Sequence, residues 1–214
     1  MPVKLKNFAS FLIQFPLKKE NMNKTRLEAF SDGVIAIIIT IMVLELKIPH
    51  GADWQSVSKL LPKFLSYVIS FIYIAIYWNN HHHLLHTVKH ISGSILWSNM
   101  HLLFWLSLVP FVTAWAGENH FSELPVAAYS IVQFMAAVAY FILTKAIIST
   151  HGKDSVLSSA IGKDFKGTIS VLSYAISIPL SFFLPVISIM IIVLIAILWL
   201  VPDRRIENQL LRKN

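Results

Sequence analysis

The chain of 214 residues has no cysteine, only seven glycines, and little charge (14% of residues). The lack of cysteine excludes disulfides, thiolate metal sites and a cysteine nucleophile. No glycine-rich phosphate loop, Gly-x-Ser-x-Gly or His-Glu-x-x-His motif occurs, and no pair of aspartates lies within an apolar block. These absences argue against an enzyme and against a nucleotide-driven pump.

Apolar residues, in contrast, make up 56% of the chain and fall in long blocks. A helix needs about 20 mostly apolar residues to cross a bilayer, and the chain has six candidate segments. They predict an all-α membrane protein with six transmembrane helices in one domain, residues 25–202, and no soluble domain. The predicted spans are Leu27–Leu46, Leu60–Leu85, Ile95–Ala116, Pro125–Ile148, Thr168–Leu184 and Pro185–Val201.

The distribution of basic residues predicts the orientation. An even number of spans places both termini on one side of the membrane. Of the 18 lysines and arginines, all but Lys47, Lys59 and Lys63 then fall on that side. Because basic loops stay in the cytoplasm, both termini are predicted to be cytoplasmic, in a multi-pass protein of the cell membrane. The formal charge of +7 therefore follows from topology and requires no nucleic-acid partner.

The flanks are predicted to lie outside the bilayer core. Within residues 1–24, Phe8, Phe11, Leu12 and Phe15 recur at helical spacing between lysines, which favours an interfacial amphipathic helix. A signal peptide is a weaker interpretation because the apolar part is short. Translation starting at Met22 is a further alternative. Residues 203–214 are predicted to form a basic cytoplasmic tail.

The first span opens with two charged residues, Arg26 and Asp32. A charge at this depth is unfavourable unless it faces a partner or water, so both are functional candidates. At 100° per residue, Asp32 lies roughly 140° from Ile37 on a helical wheel. Asp32 is therefore expected to hydrogen-bond a neighbouring helix, together with Arg26. Polar groups near the same membrane level are Trp78, Asn79, Asn80, His81, Ser98, Asn99 and His101.

The opposite side of the first span is a stripe without charge. Gly33, Thr40, Ile41 and Leu44 fall within about 60° of Ile37. Such a stripe is commonly lipid-facing or part of ordinary helix packing, and Thr40 could simply bond to its own helix. The residues alone leave these alternatives open.

The motif Arg26-x-x-x-Phe30-Ser31-Asp32 resembles the signature of the transmembrane protein 175 family of potassium-permeable channels. The similarity continues through Gly33-Val34-x-Ala36-Ile37, Thr40 and Val43-Leu44-Glu45, and it includes His81-His82-His83 at the end of the second span. The resemblance implies four six-helix units around one axis. A chain with one such unit would be a homotetramer whose first helices line a central pore.

The resemblance also implies roles for single residues. Ile37 would form the narrowest apolar constriction, with Ile41 and Leu44 as further rings of the gate. Thr40 would supply the hydroxyl that favours potassium. Arg26, Phe30, Ser31 and Asp32 would anchor the pore helix, with Asn80, His81 and Asn99 as possible partners.

Such a pore differs from one built on carbonyl groups. The chain has no Thr-Val-Gly-Tyr-Gly filter to replace the hydration shell of an ion. Four isoleucines cannot solvate a cation, so ions would pass with part of their water. We therefore expect a weakly potassium-selective cation channel, also permeable to rubidium and caesium, without a cofactor and without a bound metal.

A histidine cluster supports an alternative function. His82, His86 and His90 are spaced four apart, beside His81 and His83. Imidazoles at this spacing can bind divalent transition metals, and histidine titrates near neutral pH. A histidine-dependent divalent-metal or proton-coupled transporter is therefore the second hypothesis, while interfacial histidines without a transport role are the plainer interpretation.

Overall fold

The computed structural model describes residues 21–49, 51–152, 157 and 164–200. This part contains helices and turns, without a strand. The predicted basic tail and most of the predicted amphipathic segment lie outside the described residues. The helices are α1 (Asn21–Leu44), α2 (Trp54–His86), α3 (Gly93–Ser107), α4 (Val109–Glu118), α5 (Glu123–His151), α6 (Phe165–Leu180) and α7 (Pro185–Leu200).

Helix starts carry the residues that physical chemistry favours there. The carboxylate of Asp53 accepts the backbone N–H of Ser56 at 2.7 Å and caps α2, and Asp164 caps α6 in the same way. Pro185 begins α7, where its missing N–H has no helical partner to lose. The break predicted before Pro185 is therefore present, although α6 already ends at Leu180.

The predicted third span, Ile95–Ala116, is two helices rather than one. α3 ends at Ser107 and α4 begins at Val109, with Leu108 between them. Pro110 explains the interruption because it cannot donate the backbone hydrogen bond that would continue α3. The combined segment Gly93–Glu118 still has the length and apolar character of one span.

Four of the six expected spans have the length and composition to cross a membrane: α1 from Lys24, α2, α3 with α4, and α5. α6 and α7 are apolar but have 16 residues each. At 1.5 Å per residue each is about 24 Å long, shorter than a hydrocarbon core of about 30 Å.

α5 lies at the centre of the bundle and packs against α3, α4, α6 and α7. α1 lies at the periphery, against α2, α3 and α4. Gly117 of α4 permits a close approach to α2, because a Cβ there would lie 2.9 Å from the Cα of Lys63. α1 contributes one row of buried residues to this packing: Leu27, Ser31, Ile35, Ile38 and Met42.

Two ends of the bundle are defined by polar contacts between helices. At the His86 end, the Lys24 ammonium donates to the carbonyl of His86 at 2.9 Å. At the Glu118 end, Lys63 forms an ion pair with Glu118 at 2.8 Å. α1 runs from the His86 end to the Glu118 end, and α2 runs back.

Candidate pore face and its anchor

No other residue in the described part of the chain covers the face of α1 that carries Ile37. Ile37, Ile41 and Leu44 are 59%, 42% and 73% exposed. Gly33 and Thr40 on the same side are exposed as well. Since the buried row lies on the other side of the helix, α1 packs on its bundle by one face and presents the other outwards.

Thr40 is the polar group of this face. Its hydroxyl donates to the carbonyl of Ala36 at 2.8 Å, so the own-helix bond considered from the sequence is present. The bond uses the hydroxyl proton, so the oxygen of Thr40 can act only as an acceptor towards a further group. The stripe from Gly33 to Leu44 therefore presents apolar side chains and one hydrogen-bond acceptor, without a charge.

A buried hydrogen-bond network joins α1 to α2 and α3. Asn99 donates its amide N–H to the Ser31 hydroxyl at 2.9 Å, and Ser31 donates to the carbonyl of Leu27 at 2.8 Å. The Asn99 amide oxygen lies 2.6 Å from Nε2 of His81, which must donate because the oxygen can only accept. Ser31, His81 and Asn99 are at most 1% exposed. This network fixes the rotation of α1 and so decides which face stays outside.

Asp32 makes a separate contact. The indole N–H of Trp78 donates to its carboxylate at 2.9 Å. Both side chains are only partly buried, so this bond lies at the edge of the α1–α2 contact. The carboxylate of Asp32 therefore bonds to α2 and does not lie on the exposed stripe.

The structure does not join Arg26, Phe30 or Asn80 to this network within the described part of the chain. Arg26 and Phe30 are exposed on the side of α1 that carries Ile37. The amide of Asn80 donates to the carbonyl of Ile76 in its own helix. Lys24, which sequence reasoning missed, instead connects the start of α1 to the end of α2; its i,i+4 spacing from Glu28 was the available signal.

Replacing Trp78 with Phe should weaken the α1–α2 contact modestly. The substitution keeps a ring but removes the N–H that Asp32 accepts, and a half-exposed bond to a charged group contributes about 1 kcal/mol. We expect a small decrease in the melting temperature of the purified protein. Trp97→Phe is the matched control because Trp97 is 79% exposed. Equal melting temperatures for the two variants would contradict the role of this bond.

The described histidines either stack with neighbouring rings along α2 or accept backbone N–H groups of a turn. The rings of Trp78, His82 and His86 follow one another on α2 at centroid distances of 6.0 and 6.4 Å. Nε2 of His151 accepts the backbone N–H groups of Lys89 and His90, which closes the α2–α3 turn onto α5. Among the described residues, no three or more histidine, aspartate or glutamate side chains are grouped so that they could hold a metal ion.

The comparisons with known proteins identify relatives of this chain. Residues 26–110 match the family described as the endosomal/lysosomal potassium channel TMEM175. A potassium channel of Chryseobacterium sp. (strain P1-3) is 57% identical over 88% of this chain and 98% of its own length. A potassium channel of Streptomyces collinus is 35% identical over 56% of this chain and 62% of its own length.

A solved structure is similar throughout the bundle. It is the crystal structure of a lysosomal potassium-selective channel TMEM175 homolog from Chamaesiphon minutus. It superposes with a TM-score of 0.74 at 28% identity and covers 85% of this chain and 98% of that one.

Proposed function

This chain belongs to the TMEM175 family, and we propose that four copies form a potassium-permeable channel in the cell membrane, with α1 of each copy lining a central pore. The relatives that are named potassium channels support potassium as the permeant ion. The exposed, uncharged stripe of α1 from Gly33 to Leu44 supports the rest of the proposal. Buried hydrogen bonds hold one side of α1 against its own subunit, and the other side is exposed among the described residues. A helix of this kind can line an axis that several subunits share.

The complete subunit has six spans in this proposal. α6 and α7 are short, but the tight turn between them and their packing on each other fit a pair of antiparallel spans. The basic residues near the His86 end make that end cytoplasmic. Both termini then lie in the cytoplasm.

Ile37 forms the narrowest ring of the pore, with Ile41 and Leu44 as further apolar rings towards the outside. Their exposure in the single chain leaves them available to face one another across a four-fold axis. Apolar rings of this kind close a pore by excluding water. Gating then consists of widening the ring enough for a cation to pass with part of its hydration shell.

Thr40 gives the pore its weak preference for potassium. Thr40 is exposed, and its hydroxyl oxygen can accept because its proton is donated to the carbonyl of Ala36. Four such oxygens can replace part of the water around a cation. Potassium, rubidium and caesium hold water less tightly than sodium, so removing part of their hydration shell costs less free energy.

The anchoring role belongs to Ser31 and Asp32 rather than to Arg26. Ser31 and Asp32 bond to the other helices of the same subunit. Arg26 and Phe30 lie on the exposed side of α1, and we place them in contacts between subunits.

Replacing Thr40 with Val tests the selectivity step. Valine keeps the shape of the side chain and removes the oxygen, so the potassium-to-sodium flux ratio in liposomes should fall towards one. Thr40→Ser keeps the oxygen and is the matched control, with a ratio close to that of the wild type. A ratio that falls equally in both variants would show that shape, not the hydroxyl, sets the preference.

The function itself is tested by reconstitution. Purified protein in liposomes should pass potassium, rubidium and caesium down a gradient without a requirement for a proton gradient, and its mass in detergent should be that of four chains. Saturable, proton-coupled uptake of a divalent metal that is lost in His82→Ala and His86→Ala would instead favour the histidine-dependent transporter.

A further inference from the structure

A cleft enters the subunit from the His86 end of the bundle. It encloses about 510 Å³ between α2, α5, α6 and α7. Along α6 it extends from Asp164 at its mouth to the buried Tyr174. Over these ten residues the helix rises about 15 Å, which is half of a hydrocarbon core of about 30 Å. The cleft therefore has about the depth of one leaflet of the bilayer.

Aromatic side chains form much of the wall of this cleft. The ring of Tyr140 meets the rings of Trp199 and Tyr77 at centroid distances of 6.1 and 6.0 Å, in both cases nearly edge to face. Phe141 lines the cleft as well, and Ala196 of α7 adds a small side chain that leaves space between the rings. The wall therefore presents mainly carbon atoms to a ligand.

Polar groups of the wall already bond within the protein. The amide of Asn80 donates to the carbonyl of Ile76 at 2.8 Å, and the indole N–H of Trp199 donates to the hydroxyl of Ser170 at 2.8 Å. Ser170 in turn donates to the carbonyl of Lys166 at 2.7 Å. Since burying a polar ligand without new hydrogen bonds is unfavourable, the interior of the cleft suits a hydrocarbon chain better than a polar molecule.

Two lysines from different helices lie against rings that line the cleft. The ammonium group of Lys145, on α5, is 5.1 Å from the centroid of the Phe141 ring. The ammonium group of Lys166, on α6, is 5.9 Å from the centroid of the Trp199 ring. Cation–π contacts of this kind hold both positive charges next to the aromatic wall.

Asp164 is the acidic residue among the described residues that line this cleft. Its carboxylate accepts the backbone N–H of Gly167 at 2.9 Å and caps the start of α6. The N-terminus of a helix carries a partial positive charge, which offsets a carboxylate placed there. Two ammonium groups and one capping carboxylate leave the mouth of the cleft positive, so charge complementarity favours an anionic headgroup.

We propose that this cleft binds one anionic phospholipid, with a phosphate diester such as that of phosphatidylglycerol between Lys145 and Lys166 and one acyl chain along the aromatic wall. Basic pockets between membrane helices on the cytoplasmic side suit such headgroups. The proposed topology places the His86 end in the cytoplasmic leaflet, whereas binding itself requires only the fold of one subunit. The site is separate from the exposed stripe of α1.

Native mass spectrometry of the full-length protein in detergent measures this binding. Phosphatidylglycerol is the probe, and phosphatidylcholine with the same acyl chains is the neutral comparison. We expect one phosphatidylglycerol per chain, and phosphatidylcholine should bind at least about tenfold more weakly because its headgroup has no net charge. Deacylated phosphatidylglycerol has the same phosphate diester without a chain for the cleft, so it should not displace the bound lipid.

The double variant Lys145→Gln and Lys166→Gln tests the headgroup contacts. It removes both charges and keeps side chains of similar length, so the affinity for phosphatidylglycerol should fall about tenfold, or about 1.4 kcal/mol. Lys89→Gln is the matched control because Lys89 is exposed at the same end of the bundle but is not among the residues that line the cleft. Its affinity should stay close to that of the wild type.

A second measurement keeps the proposal falsifiable if the double variant folds poorly. Phosphatidylglycerol with brominated acyl chains should quench part of the tryptophan fluorescence at one lipid per chain, and this part should be missing in Trp199→Phe. The proposal is overturned if phosphatidylglycerol and phosphatidylcholine bind equally, or if the deacylated headgroup displaces the lipid. It is also overturned if Lys89→Gln lowers affinity as much as the double variant does, or if Trp199→Phe leaves the quenching unchanged.

Discussion

Replacing Ile37 with Asn should raise potassium flux through reconstituted protein by about tenfold, which requires a barrier lowered by only about 1.4 kcal/mol. In the proposed tetramer, four asparagines would hydrate a ring that four isoleucines would keep dry, and the ring would stop closing the pore. The selectivity for potassium over sodium should decrease at the same time, because ions would pass with more of their water. Flux of potassium and sodium from liposomes measures both effects.

Val43→Asn is the matched control for this prediction. Val43 is 44% exposed on the same helix, but it lies roughly 120° from Ile37 on a helical wheel. The same substitution there should leave flux near the wild-type value. If Ile37→Asn leaves flux unchanged, or if Val43→Asn raises it equally, the Ile37 face does not line the pore.

Replacing Asn99 with Leu should produce the largest loss of stability. Asn99 is fully buried and connects Ser31 to His81. Leucine fills a similar volume but leaves the Nε2–H of His81 without an acceptor, which costs about 1–3 kcal/mol. We expect the melting temperature in detergent to fall by roughly 4–8 °C for a loss of about 2 kcal/mol.

Asn80→Leu serves as the control because Asn80 is also buried in the same bundle. Its amide bonds to the carbonyl of Ile76 in its own helix, so no second helix among the described ones loses a side-chain partner. Its shift in melting temperature should be less than half that of Asn99→Leu. Equal shifts would show that the α1–α2–α3 network contributes no more than a local helix bond.

Long apolar blocks allowed most of the helices to be predicted. A segment that is apolar for about 20 residues has few alternatives to a buried or membrane helix, and α1, α2 and α5 lie where the blocks predict. The interruption at Leu108 was missed because Pro110 sits inside an otherwise continuous apolar run. Whether such a proline bends or breaks a helix depends on the neighbouring helices, and the run itself does not contain that information.

The anchor of α1 was predicted only in part. A pattern places Ser31, Asp32, His81 and Asn99 at one membrane level, which made them candidate partners. It cannot tell which side chains of α2 turn towards α1, so both Trp78 and Asn80 counted among the polar groups available near Asp32. The structure separates them: Trp78 bonds to Asp32, whereas Asn80 bonds within α2.

Arg26 differs in this respect. Its charge suggested a role beside Asp32, but the spacing of six residues at 100° each already places Arg26 and Asp32 roughly 120° apart around the helix. Arg26 therefore lies with Ile37 on the exposed side, and Lys24 makes the contact with α2.

The sequence by itself determined that this is a helical membrane protein of the TMEM175 family with an uncharged stripe on its first span. Composition and a local motif carry that information, because both are properties of neighbouring residues. Only the tertiary structure decided which side of α1 is covered, since this depends on bonds from Asn99 and Trp78, distant in the chain. It also brought together, from three helices, the hydroxyls of Ser70, Thr113 and Tyr129, whose pairing no sequence spacing specifies.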